Sequence, residues 1–180
     1  MIKSRIDIER IQIREHVESD LAAYHEWQSD PAIASFVSWL PKTFAESEAD
    51  LRDAIAQQHA KQRSKYFFAV VDMCSNEIVG EVGFTVIKEG VGDCGWFILK
   101  RFWGRGFATQ AAQLMIAVAF AQAGLQRLEA SCVHQNIASK RVMEKCGFRC
   151  VAQDEKRLRY ALSKDWWNQG HLLNSIGVRG

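Results

Sequence analysis

Gly95-Trp96-Phe97-Ile98-Leu99-Lys100-Arg101-Phe102-Trp103-Gly104-Arg105-Gly106-Phe107-Ala108-Thr109 decides the reading of this chain. It reads as a strand, a turn carrying two glycines and two arginines, and the start of a long apolar helix. Trp96 to Leu99 are aromatic and β-branched enough for a buried strand. Gly104 and Gly106 lack a Cβ, so the amides of the turn can close around a ligand. Phe107, Ala111, Leu114, Met115 and Val118 recur at i, i+4, i+7, i+8 and i+11, one face of a helix. The unpaired N–H groups and dipole of a helix start favour an anion there. Arg101 and Arg105 add formal positive charge. The stretch predicts a phosphate-binding turn and a phosphorylated cofactor.

Length and composition set the frame around it. The 180 residues suit a single domain spanning 1–180, with a substantial core. Apolar residues make up 48% and charged residues 24%, values that exclude a disordered chain. A net charge of +2 without a basic arm gives no reason to expect nucleic acid. Five scattered cysteines, none in a C-x-x-C pair, fit a reduced cytoplasmic protein better than a metal centre. Met1 to Arg10 is charged throughout, so no signal peptide is expected, and no apolar run is long enough to span a membrane.

Outward from the central stretch, Ile11–Ile13 predicts a short strand, and Ser19 a cap for a helix containing Leu21, Tyr24 and Trp27. That helix must stop by Asp30-Pro31. Phe36–Leu40 reads as a loop or short helix lining a site. Thr43 and Glu46 have capping-box spacing, predicting a helix to about Lys61. Tyr66–Val71 and Ile78–Val86 read as a hairpin turned at Asn76, with Gly80 and Gly83 marking a bulge or close backbone approach. Glu89-Gly90 turns the chain into the central strand. Beyond the long helix, Gly124 ends it and Arg127–Val133 is a strand. Asn136 caps a helix that runs to Lys145 and ends at Gly147, and Phe148–Ala152 and Leu158–Leu162 close the fold. The expected class is α/β (α+β), with one mixed, mostly antiparallel central sheet flanked by helices.

Four segments resemble the GNAT superfamily of N-acetyltransferases. Arg101-x-x-Gly104-x-Gly106 matches its acetyl-coenzyme A signature. Glu9–Arg14, with Asp20, is similar to the opening of the branch that holds the ribosomal-protein alanine N-acetyltransferases. Asp93-Cys94-Gly95-Trp96 stands where that branch reads E-x-G-Y. Asn136–Phe148 resembles its N-x-A-S-x-x-V-x-E-K-x-G-F block almost position for position. The likeness covers about residues 8–152, and 153–180 diverges.

The resemblance implies acetyl-CoA as cosubstrate. Its pantetheine arm would lie along Trp96, Phe97, Ile98 and Leu99, where that strand splays from its neighbour. Its pyrophosphate would sit on the amides from Arg101 through Gly104, Arg105, Gly106, Phe107 and Ala108 to Thr109, with Asn136 as a further contact. The reaction implied is direct attack of an amine on the thioester. Such a site needs a base, a donor for the thioester oxygen and an acid for the leaving thiolate. In related enzymes this serine is placed to donate to the coenzyme sulfur, and the resemblance carries that role over to Ser139, with no tyrosine in its helix to take it instead; the plainer reading is a first-turn serine bonded to its own backbone. Asp93 holds the family's carboxylate position and would act through water, or is only a turn residue after Gly90 and Gly92. Glu81 is the other candidate base, or an acid on a solvated strand face.

Other features have plain readings too. The glycine turn alone is compatible with a tight connection. Gly104-x-Gly106-x-x-Thr109 with Glu129 is part of a dinucleotide fingerprint, but Thr109 replaces its third glycine. His134 borders the cleft or is a loop residue. Cys132 and Cys146 read as core, with nothing beside them to activate a thiolate. The acceptor, a protein N-terminal amine or a small-molecule amine, is not fixed. Trp27, Phe36, Trp39, Phe44, Phe84 and Trp96 are its candidate aromatic walls, or core residues. Trp166-Trp167, if exposed, would mark a homodimer or lid surface. A non-catalytic acyl-CoA-binding regulator with the same fold is the alternative function.

Overall fold

Backbone and capping chemistry decide where each element begins. A computed structural model describes residues 10–36 and 41–169. The expectations on Glu9, Trp39 and most of the Phe36–Leu40 stretch fall outside those residues. Strand β1 (Ile11–Glu15) leads into a 3-10 turn, Glu18–Asp20, and then helix α1 (Leu21–Gln28). Ser19 lies inside the turn and caps nothing. The turn is organised instead by Asp20, whose carboxylate accepts from the Val17 amide at 3.0 Å. Asp30 caps the short α2 (Pro31–Ala34), accepting from the Ala32 amide at 2.8 Å. The Thr43–Glu46 capping box forms, and α3 (Phe44–Gln58) ends three residues before Lys61.

Strands β2 (Lys65–Asp72), β3 (Glu77–Lys88) and β4 (Val91–Ile98) form an antiparallel meander. Asn76, with φ of 58°, makes the first turn. Helix α4 (Phe107–Ala121) crosses to β5 (Arg127–Val133), and α5 (Ile137–Lys145) to the closing pair β6 (Arg149–Gln153) and β7 (Arg157–Ser163). Among the described residues the sheet order is β1-β2-β3-β4-β5-β7-β6, with only β4 and β5 parallel. This is the mixed, mostly antiparallel sheet expected.

The sheet is covered on both faces. Trp27 of α1 stacks on Phe97, their centroids 4.8 Å apart. On the other face, Gly92 lies against Leu125, just beyond α4. The buried stripe of α4 is rotated from the expected one. Ala112, Ile116 and Ala119 join Phe107, Ala111 and Met115, while Leu114 and Val118 are half-buried at its margin. The three alanines leave room for the helix to settle close on the sheet. Trp166 and Trp167 pack half-buried against the core, and Arg149 stacks 4.1 Å from the Trp166 ring. They are therefore not the exposed pair that would have marked a dimer or lid. Among the described residues no helix is long and apolar enough to cross a membrane.

Two features mark β3 beside β4. A bulge falls where Val70 pairs Gly80 and Val71 pairs Ile78, leaving Val79 as the extra residue. At Gly80 the backbones meet so closely that an added Cβ would lie 1.9 Å from the Phe97 carbonyl oxygen. On the opposite side, β4 pairs with β5 only from Val91 to Asp93. Past Asp93 the two strands part.

Candidate functional site

That parting opens a cleft of about 520 Å³. Gly95, Trp96, Phe97 and Ile98 face it from β4, and Ala130, Ser131 and Cys132 from β5. Among the described residues the β5-side edge of β4 has no strand partner past Asp93, so its main-chain N–H and C=O groups, apart from the Ile98 carbonyl, face the cleft for a ligand. Leu99 is not part of this wall: it is 2% exposed and belongs to the core. Trp96 and Phe97 are only half-buried because they line the opening.

The glycine turn closes one end. Gly104 and Gly106 have φ of 76° and 80°, the left-handed conformation that side chains resist. Gly106 is the N-cap of α4, so Phe107, Ala108 and Thr109 present the helix start to the cleft. Their amides have no carbonyl one turn earlier to bond, which makes this end an anion site. Arg101 and Arg105 do not line it. Arg101 pairs with Glu26 of α1. The two guanidiniums lie over the Phe102 ring, 4.8 and 5.1 Å from its centroid. Adjacent positions in a tight turn project to different sides, and a side chain's charge goes where its partner is.

The opposite wall is the start of α5. The Asn136 side chain accepts from the Ser139 amide at 3.0 Å, so the cap is made and the serine's backbone is satisfied. Ser139 lines the cleft, and its hydroxyl is bonded to no group among the described residues. His134 does not border the cleft; it is tied to the Asp154 carbonyl at 2.8 Å. The thiols near the cleft are poor nucleophiles. Burial raises the value of Cys132, and pushes that of Cys146 up to about 12.

The two candidate carboxylates lie apart. Asp93 is exposed beside Glu129, outside the cleft lining. Partial burial, then the Glu129 charge, raises its carboxyl, with Arg157 opposing. Glu129 itself pairs with Arg127 at 2.8 Å. Glu81 is no solvated acid: it is 4% exposed, and it pairs across strands with Phe97. His16 contacts Glu81 at 2.9 Å through Nε2 and Asp20 at 3.3 Å through Nδ1, while Arg14 grips both Asp20 oxygens at 2.7 and 2.8 Å. Burial pushes the Glu81 carboxyl up, with His16 only partly drawing it back.

Glu81 lines a second cavity, of about 250 Å³, which shares Phe97 with the cleft. The expected aromatic walls divide between these spaces and the core. Phe36 and Trp96 line the cleft, and Trp27 the second cavity. Phe84 is fully buried, and Phe44 is exposed at the start of α3.

The chain matches the acetyltransferase (GNAT) domain family over residues 10–149. It is a member of that family. A relative, the uncharacterized N-acetyltransferase YnaD of Bacillus subtilis, is 26% identical over 165 residues, 91% of this chain and 92% of its own. Two solved structures share the fold. One is a ribosomal-protein-S5-alanine acetyltransferase from Vibrio fischeri, with a TM-score of 0.76 at 20% identity, covering 89% of this chain and 96% of the other. The second is a spermidine N-acetyltransferase from Vibrio cholerae in complex with CoA and spermine, also at 0.76, with 17% identity over 89% and 99%.

As an acetyltransferase of this family, the protein carries cleft residues that the motifs did not flag. Arg141 and Lys145 line the cleft from α5 and Arg157 from β7. Ala138, Arg141, Val142 and Lys145 follow the i, i+3, i+4, i+7 spacing of one helix face, so the first two basic residues were legible once Ser139 was set on that face. Arg157 gives no local signal; the β5–β7 pairing brings it in. Trp103 donates its indole N–H to the Ile98 carbonyl at 2.6 Å, fastening the glycine turn to the end of β4.

Proposed function

We propose that this acetyltransferase takes acetyl-CoA into the β4–β5 cleft and transfers the acetyl group directly to a primary amine. The acceptor is a protein N-terminal amine or a small-molecule amine. The observation that carries the reading is the junction of three elements on one cleft. They are the unpaired edge of β4, the helix start at Gly106–Thr109, and the unengaged Ser139 hydroxyl. The strand edge suits the amide-rich pantetheine arm. The helix start suits the pyrophosphate. Arg141, Lys145 and Arg157 supply the positive charge that Arg101 and Arg105 direct elsewhere.

In this reading the β4 main chain donates to the thioester oxygen as it gains charge. Ser139 gives its proton to the departing thiolate. Glu81, on the sheet face that carries Phe97, accepts the proton the amine loses, through water where needed. Its raised carboxyl is a stronger base than an ordinary glutamate, and His16 holds it in place. Asp93 is the second candidate base, on the same sheet face but away from the cleft lining.

The test is a thermal shift with acetyl-CoA, CoA and NAD, followed by CoA-thiol release across amines and short peptides. Both CoA species are expected to raise the melting temperature and NAD to leave it unchanged. Gly106→Val, which strains the left-handed cap without a steric clash, is expected to abolish the shift while the protein still unfolds cooperatively. No shift with either CoA species would overturn the cleft assignment.

A further inference from the structure

The second cavity lies beside the cleft, with aromatic side chains and a few polar groups in its lining, and the motifs do not account for it. At its inner end stand Glu81 and Phe97, a cross-strand pair, with Phe97 shared between the two spaces. Trp27, stacked on Phe97, forms the wall beside them. Gln28 lines the cavity from the end of α1. It is 3% exposed, and its Nε2 donates to Asp50 Oδ2 at 3.0 Å. That bond fixes which way the amide points, and it leaves Gln28 Oε1 buried with no donor among the described residues. A buried carbonyl oxygen without a partner is a costly feature for a fold to keep, and the cavity that Gln28 lines is where a donor would come from.

The surrounding charges say which donor. Asp50 and Asp53 lie at this end, and each already holds a lysine ammonium: Lys42 on Asp50, and Lys65 on Asp53 at 2.6 Å. The chain thus displays the group this rim binds, a primary alkylammonium. Among the described residues both side-chain bonds to Asp50 fall on Oδ2, so Oδ1 is left for a third donor near Gln28. An ammonium has three N–H groups and no acceptor, the inverse of an orphan carbonyl oxygen beside a carboxylate. At about 30 Å³ per small heavy atom, the volume takes a ligand of roughly eight such atoms.

Resting on the proposed function, we infer that the second cavity is the acceptor pocket and that it selects a short diamine. The reacting amine lies at the Glu81–Phe97 end. The second ammonium is held between Gln28 Oε1 and Asp50.

The experiment compares cadaverine with pentylamine, equal in chain length and differing by one amine, by calorimetry on the CoA-saturated protein. Cadaverine is expected to bind at least tenfold more tightly. Gln28→Leu, nearly the same size, is expected to bring that ratio below about threefold, and Asp50→Asn, at a partly exposed site, to reduce it as well. Circular dichroism and the retained CoA affinity of each variant show that it is folded. Equal binding of the two amines to wild-type protein, with CoA binding intact, would overturn the diamine pocket and leave the orphan oxygen to water. A ratio unchanged in both variants would also overturn it. Failure of CoA itself to bind would instead overturn the proposed function on which the pocket rests.

Discussion

At Ser139 the backbone and the side chain have separate duties. Its amide is spent on the Asn136 cap, and its hydroxyl, on a residue that lines the cleft, bonds no group among the described residues. Removing the hydroxyl therefore tests chemistry with little disturbance of the helix. Ser139→Ala is expected to lower kcat by roughly 10²-fold if the hydroxyl is the acid for the leaving thiolate. Acetyl-CoA affinity should change much less, and unfolding free energy by no more than about 0.5 kcal/mol. Steady-state kinetics beside a denaturant titration measures both. A fall in kcat below about threefold would return Ser139 to the role of a helix-start residue. Arg101 and Arg105 teach the converse: their positions in the signature are unchanged, but Glu26 and the Phe102 ring take their side chains.

Elements were more legible than the gaps between them. Thr43–Glu46 and Asn136–Gly147 carry their start and stop chemistry within a few residues, so both helices could be read from the sequence. Ser19 misleads because the competing acceptor, Asp20, owes its role to Arg14 and His16, which belong to other segments. The burial of Glu81 was unreadable for the same reason: its strand alternation gives a face but not what covers it. Gly80 was legible as a close approach, and the structure supplies the consequence. A methyl there would meet the Phe97 carbonyl and push β4 away from β3, into the cleft. Gly80→Ala is expected to destabilise the protein by about 3 kcal/mol or more, lowering the melting temperature by roughly 10 °C, and to weaken acetyl-CoA binding. Calorimetry on the folded fraction checks the second effect. A variant of wild-type stability and affinity would mean that β3 yields and that the close approach does not hold the cleft open.

On the scale of the whole molecule, a buried chain of charge links four segments: Arg14 on β1, His16 after it, Asp20 in the 3-10 turn and Glu81 on β3. It fastens the first strand to the sheet's centre and supports the wall of the second cavity, so its protonation bears on the entire fold. Burial alone would lower the His16 value, but the bonds to Asp20 and Glu81 outweigh it and hold it at about 9. The folded protein thus keeps a proton that the unfolded chain, near its ordinary 6.5, releases. This stabilisation is complete below that lower value and is lost as pH rises through the higher one, at a limiting slope of about 1.4 kcal/mol per pH unit. Glu81, raised first by burial, acts in the same direction from its own ordinary value upward. Asp20 acts in the opposite sense: burial alone would raise it, but Arg14, His16 and the Val17 amide hold it low, so its contribution is lost only in acid. Urea unfolding between about pH 6.5 and pH 8.5 covers the histidine's loss while staying below most of the range where buried Cys94 and Cys146 would add to it, and comparison with a His16 variant separates it from that of Glu81. The free energy is expected to fall by roughly 1–2 kcal/mol across that window, and His16→Gln, though less stable, to give a shallower profile. An equal slope in the variant, or stability that climbs toward pH 8.5, would remove His16 as the proton the fold holds.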